Sequence, residues 1–326
     1  MGWILYSILV ALIGAIANSE SKIGLLHYTT IEFVPYFLLC ACIFLSIYIG
    51  INKDFTKLFF DYNSLIVGIT FAIAVFLLNE SIARASNPGL SMAVMRTQAI
   101  LSAILSYFAF GTPLNIVKIG CMIVVLVGVY FITIGDKTHK HIKHNKQIIH
   151  NKHTHNKHHK NDKHNTQESF LNKEFHSNNS WIIFSLLSGV AFSIMDIFTK
   201  RSTMVKNNLI ENIVFHKYII ATVILFIYMY ITSGTIQLQS ITGKSRLTIM
   251  DYLILVFCGF LSLLYGGFIA QACKLAPNVG YVKSIDCLGI PITTILSSYM
   301  LNVSISKESW IGIVIVVLGV IGLSVF

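Results

Sequence analysis

The 326-residue chain is 55% hydrophobic and 12% charged, with a mean hydropathy of +0.71. Soluble globular domains carry about 25% charged residues, so this much apolar surface has no place to hide from water and the solvent of the chain is lipid. The net charge of +10 invites a nucleic-acid reading, but nine Lys fall in the single stretch Lys137 to Lys173, as a basic loop facing water or anionic headgroups would place them.

The apolar segments, in chain order, are 2–18, 31–51, 64–80, 88–110 and 114–134, then 181–199, 212–233, 250–271, 278–300 and 309–326. A chain in hydrocarbon must satisfy its own backbone hydrogen bonds, so each segment is read as a helix. A barrel would alternate polar and apolar residues, and runs such as Met122–Ile134 do not. Ala15-Ile16-Ala17 resembles a signal-peptidase site, but no Lys or Arg precedes the apolar run, so the first segment is read as a retained span. Between the fifth and sixth segments, residues 136–180 hold ten of the twelve His, mixed with Lys and Asn; this stretch has too little apolar content to fold and is predicted to be a disordered linker. The six Cys lie in or beside apolar segments without a CxxC pair and read as small core hydrophobes.

Two stretches repeat each other. Gly89–Gly128 and Gly280–Gly319 lie 191 residues apart and align without a gap. Each starts at a helix-opening turn (Asn87-Pro88-Gly89; Pro277-Asn278-Val279-Gly280) and reaches a similar tract (Leu126-Val127-Gly128-Val129; Leu318-Gly319-Val320). The half starts also match, Trp3-Ile4-Leu5-Tyr6-Ser7 against Trp181-Ile182-Ile183-Phe184-Ser185, at an offset of 178. Five spans per half is an odd number, so the second half enters the bilayer from the opposite face. The expected architecture is all-α and integral to the membrane: ten transmembrane helices as two inverted five-helix repeats, 1–135 and 181–326, joined by 136–180. Such repeats characterise secondary transporters.

On these residues the chain resembles the drug/metabolite transporter superfamily, in particular its EamA-like ten-helix members. The carriers are the fourth-fifth helix pair, Pro88-Gly89 through Val127-Gly128-Val129, and its copy, Gly280 through Leu318-Gly319-Val320. The resemblance implies alternating-access transport of small organic metabolites, with a cavity between helices 1–4 and 6–9 and helices 5 and 10 peripheral. It also implies a Pro in the fourth and ninth helices. Pro291 fits the ninth, whereas Ile100 stands at the equivalent place in the fourth, which argues against a symmetric hinge.

Ionisable side chains inside spans cost about 2.5–3.5 kcal/mol each on insertion scales and point to function by default. We call the face bearing the termini the termini face and the other the linker face. Arg96 lies in the fourth span, towards the linker face from its centre, with Gln98 two residues on. Glu80 ends the third span near that face and is a candidate counter-charge for Arg96, in a purely structural pair or beside a solute. Asp286 and Lys283 lie in the ninth span, towards the termini face. Their i, i+3 spacing lets them neutralise each other, or leaves Asp286 as a proton-carrying or substrate-binding carboxylate. The inverted helices put Arg96 and Asp286 roughly 10 Å apart in height, which argues against a direct bridge. The cavity candidates are thus Arg96, Gln98, Asp286, Glu80 and Lys283.

Asp196 near the end of the sixth span, and His216 with Lys217 at the start of the seventh, form a gate or mark the water interface. Gly289 and Pro291 permit a bend in the ninth span, which makes Pro291 a third gate candidate. Spans one and six carry about 15 apolar residues before Asn18 and Asp196, and short spans at matching positions point to the binding site. Lys22 and Lys200 match in the repeat and are expected to snorkel to headgroups. Gly120, Gly128, Gly312 and Gly319 are read as packing positions.

The linker residues His153, His155, His158 and His159 are able to ligate Zn²⁺ or Ni²⁺, but no span carries an HxxxD or HxxxH pair, so no resident metal is assigned. Apart from the linker, Lys and Arg favour cytosolic termini and a linker on the opposite face; the linker's own Lys argue the reverse. Three Asn-x-Ser sequons, at Asn79, Asn178 and Asn302, all fall on the linker face. The expected partners are a small organic solute, the bilayer and a proton or other coupling ion, with a homodimer left open; no cofactor and no nucleic acid is expected. Two alternatives remain, a divalent-metal transporter that uses the linker as a collector and a membrane scaffold. No catalytic grouping or phosphate-binding loop supports an enzyme.

Overall fold

The computed structural model describes residues 2–52, 58, 60–85, 87–112, 115–132, 134, 180–205, 208–236, 248–301 and 305–325. The first half comprises α1 (Gly2–His27), α2 (Thr30–Ile51), α3 (Tyr62–Arg84), α4 (Pro88–Met95), α5 (Gln98–Phe110) and α6 (Ile116–Ile132). The second comprises α7 (Ser180–Thr203), α8 (Ile210–Ser233), α9 (Ile249–Leu275), α10 (Val279–Asp286), α11 (Gly289–Leu301) and α12 (Lys307–Val325). Eight segments are long and apolar enough to cross a bilayer; α4 with α5, and α10 with α11, each count as one of them. Among the described residues, the shorter α6 and the 19-residue α12 complete an all-α bundle. Apart from Ser180, the linker lies outside the described residues, as does Asn302.

Equivalent residues do the same work in both halves. Asn87 and Asn278 cap α4 and α10, their side-chain oxygens accepting from the N–H of Gly89 at 2.7 Å and of Gly280 at 2.8 Å. Gly68 lets α3 approach Ile220 of α8, and Gly259 lets α9 approach Phe37 of α2; an added Cβ would fall 2.6 Å from the facing atom in either place. Gly128, Gly312 and Gly319 seat α6 against α12 as packing positions, whereas Gly120 faces open space.

The structure corrects three expectations. Lys22 and Lys200 do not snorkel. Lys22 Nζ donates to the carbonyls of Ile82 (2.8 Å), Ala83 (3.0 Å) and Ala85 (2.8 Å), and Lys200 Nζ to those of Ala276 (2.8 Å) and Pro277 (2.9 Å). Each is buried where α3 or α9 ends, on carbonyls that have no helical donor. Spans one and six are not short either, because α1 and α7 continue through Asn18 and Asp196 for 26 and 24 residues in all.

The third correction is that spans four and nine are not continuous. Between α4 and α5 the ladder tightens to i→i−3 bonds, from Thr97 N–H to Val94 O (3.2 Å) and from Ala99 N–H to Arg96 O (3.0 Å). Between α10 and α11, Leu288 N–H reaches Ile285 O (2.9 Å) and Ile290 N–H reaches Cys287 O (3.0 Å). Pro291 has no N–H to offer Cys287 O, which accounts for the second break. The first break occurs with Ile100 in that place, so both helices are interrupted although only one carries the proline.

Candidate functional site

A cavity of about 80 Å³ lies between the repeats, large enough for a few waters or the head of a small solute. Its walls come from the first four spans, α7 and α9, and its lining residues lie near the middle of their helices or towards the linker face. Phe37, Phe71, Phe192 and Met92 give it apolar surface, and Asn18, Asn79, Arg96, Gln98 and Tyr265 give it polarity.

Arg96 sits at the cavity floor because α4 ends there: it is the C-cap of α4 and 1% exposed. Its guanidinium donates to the Asp286 carboxylate, at the end of α10, and to the Tyr265 hydroxyl at 3.4 Å. Tyr265 donates to the same Asp286 oxygen at 3.0 Å. A lone buried ion is prohibitively costly in hydrocarbon, and this triad cancels the charge locally. The two helix breaks are therefore also where the two opposite charges meet.

A second charged layer lies towards the termini face. Lys283 pairs with Asp196 at 3.0 Å, both fully enclosed. Lys217 is buried with its ammonium over the rings of Phe71 (4.8 Å) and Tyr218 (4.6 Å). Gly266 makes that possible, since a Cβ there would stand 2.6 Å from Lys217 Nζ. The Tyr218 hydroxyl donates to the Ser262 carbonyl, which ties α8 to α9. The Asp196–Lys283 pair lies on the termini side of the cavity.

Of the predicted site residues, Arg96 and Gln98 line the cavity, and Asp286 stands behind Arg96 rather than on the wall. The bridge judged too long from helix heights is made, because the broken helices and the long arginine side chain close the gap. Glu80 is not the counter-charge of Arg96; it pairs with Arg84 at 2.7 Å, one turn along its own helix. Lys283 and Asp286 do not neutralise each other, since each has found a partner on another helix. His216 bonds the Asn212 carbonyl within its own helix at 2.9 Å and packs against Phe60 and Phe215. Pro291 lies in the first turn of α11, beside the break. The linker residues His153, His155, His158 and His159 lie outside the described residues; within those described, no group of three or more His, Cys, Asp or Glu is placed to hold a metal ion.

The model of the EamA-like transporter family matches residues 179–325. Residues 179–325 are thus similar to this family, which is part of the drug/metabolite transporter superfamily. A solved structure described as "Crystal structure of protein" superposes with a TM-score of 0.58 at 14% identity, covering 98% of this chain and 96% of its own; the likeness shows the fold. No curated protein matches. The match over the second half suggests a multi-pass membrane transporter of small molecules.

The EamA-like half supplies Asp196, Lys217, Tyr265, Lys283 and Asp286, so most of the charged network lies within the matched residues. Three wall residues escaped the sequence reading. Tyr265 was hidden as one more aromatic in an apolar run. Asn18 was read as a span end, and Asn79 as a sequon. The repeat carried a signal for Asn18, which is the counterpart of Asp196 at the offset that pairs Trp3 with Trp181.

Proposed function

We propose that the chain is a secondary transporter that moves a small organic metabolite across a membrane by alternating access, with the cavity as its solute site and 1–135 and 181–326 as its moving repeats. The observation that carries this reading is a partly polar, partly open cavity between the two halves, near the middle of the spans, with a buried Arg96–Asp286–Tyr265 network at its floor. Midplane sites at interrupted helices are how inverted-repeat carriers hold solutes. Arg96 and Gln98 contact the solute, and Asp286 sets how much of the Arg96 charge the solute meets. A proton arriving on Asp286 would loosen its hold on Arg96.

The Asp196–Lys283 pair and Lys217 form the gate on the termini face. Opening that face hydrates them, and closing it restores their mutual pairing. The open cavity weighs against a scaffold, which would be packed solid at its centre.

The test is uptake of a mixed metabolite extract into sealed proteoliposomes, read by mass spectrometry. Uptake of at least one compound should fall tenfold or more in Arg96→Ala and respond to Asp286→Asn. Unchanged uptake in both variants rejects the site, and no uptake by the unmodified protein rejects transport.

A further inference from the structure

The cavity wall carries polar atoms with unspent capacity. Asn18 Nδ2 donates to Gly14 O at 2.5 Å, and Asn79 Nδ2 donates to Val75 O at 2.8 Å, each one turn back on its own helix. Each amide thereby spends one of its two N–H donors locally and keeps its oxygen and its other N–H for something else. Asn79 Oδ1 and Gln98 Oε1 are buried and have no hydrogen-bond partner among the described residues. The same holds for Nε of Arg96, a donor of a residue that lines the same cavity. A buried polar atom left unpaired costs about 1–3 kcal/mol, so these atoms call for a partner, which water or the head of a solute supplies.

The arrangement dictates the ligand's chemistry. Amide oxygens ask for N–H donors, and the Arg96 N–H asks for an acceptor. Net charge is disfavoured, because Arg96 is already balanced by Asp286. A bare carboxylate has no N–H to give and would leave the Asn79 and Gln98 oxygens without donors. A bare ammonium would leave the Arg96 donor empty and sit beside a guanidinium. Phe37, Phe71, Phe192 and Met92 ask for an apolar body. Resting on the transport reading above, we propose that the solute carries a neutral amide-type head, a carbonyl acceptor adjoining N–H donors, on a small apolar body, and that Asn18, Asn79 and Gln98 select it.

Three probes share one branched body and differ in the head: isovaleramide, isopentylamine and isovalerate. Thermal unfolding of the purified full chain in detergent reads binding, because a ligand of the folded form raises the melting temperature. Isovaleramide should raise it most and isovalerate least. Asn79→Leu should weaken the isovaleramide effect tenfold or more, as expected when a hydrogen-bonding site loses its partner. Gln98→Leu should do the same, so a poorly folding Asn79→Leu leaves the comparison intact. An equal or larger effect of isovalerate, an undiminished effect in both variants, or no effect of any probe overturns the proposal. None of these touches the transport reading, which stands or falls on metabolite uptake into proteoliposomes by the unmodified protein.

Discussion

At the scale of single residues, the charged side chains are held by partners on other helices, and this is where the sequence was hardest to read. The height of a residue in a span follows from 1.5 Å per residue, but the face it presents depends on packing. Arg96 and Asp286 were separable by height and are nevertheless bonded; Lys283 and Asp286 were neighbours by spacing and are not. What was legible was that such residues must be few, deep and paired. The pairing has a measurable consequence. Removing one partner of a buried ion pair costs about 3–5 kcal/mol, because the other charge stays buried alone. Arg96→Met and Asp286→Leu should each lower the melting temperature sharply, and the double variant should recover much of the loss. A double variant less stable than either single one would show that the pair is not coupled. Lys22 and Lys200 make a second case. Each holds carbonyls at a helix end out of reach of salt, so Lys22→Met and Lys200→Met should each destabilise by about 1–3 kcal/mol, to the same extent at low and high ionic strength. Loss of stability that fades with salt would return these lysines to the headgroup region.

At the scale of elements, number, order and helix-opening turns were legible, because hydrocarbon forces long apolar runs into helices and because Asn87 and Asn278 are cap residues in place. The break in span four was not, since Arg96-Thr97 carries neither Pro nor Gly. It is imposed from outside. Gly189 of α7 presses on the Met95 carbonyl, where an added Cβ would come within 2.8 Å, and Gly289 lies in like manner on the Ala11 carbonyl of α1, at 2.9 Å. Ala11 and Gly189 are equivalent in the repeat, so α1 and α7 each cross the partner half at its break. If span four is already interrupted, a proline there should be tolerated. The N–H of Ile100 would be owed to the Arg96 carbonyl in a regular helix, and that carbonyl already has Ala99 as its donor at 3.0 Å. Ile100→Pro should therefore melt close to the unmodified chain, whereas Leu101→Pro, one residue on, should lose about 3 kcal/mol or more. Equal losses at both positions would mean that the interruption is not real.

At the scale of the whole molecule, the two halves match in fold and differ in charge, and the difference bears on where the cavity lies. The buried pair Asp196–Lys283, proposed above as the gate, has as its repeat counterparts Asn18 and Met92, both on the cavity wall. The termini half can be locked by an ion pair, and the linker half has an amide and a thioether in the same places, which cannot lock. A cavity displaced towards the linker face is what that asymmetry produces. Two native cysteines report on it. Cys258 lines the cavity, and Cys273 is buried near the termini end of α9. In a variant keeping only these two, a small neutral methanethiosulfonate should label Cys258 well ahead of Cys273. Lys283→Met leaves Asp196 without its partner in the closed arrangement, but hydrated once the termini face opens. With a buried pair worth about 3–5 kcal/mol to whichever state keeps it dry, the balance should move by two or more decades, and Cys273 labelling should rise with it. The reciprocal change, Met92→Lys with Asn18→Asp, builds the same lock on the other face and should protect Cys258. If Lys283→Met leaves Cys273 as protected as before, Asp196 and Lys283 are packing rather than a gate.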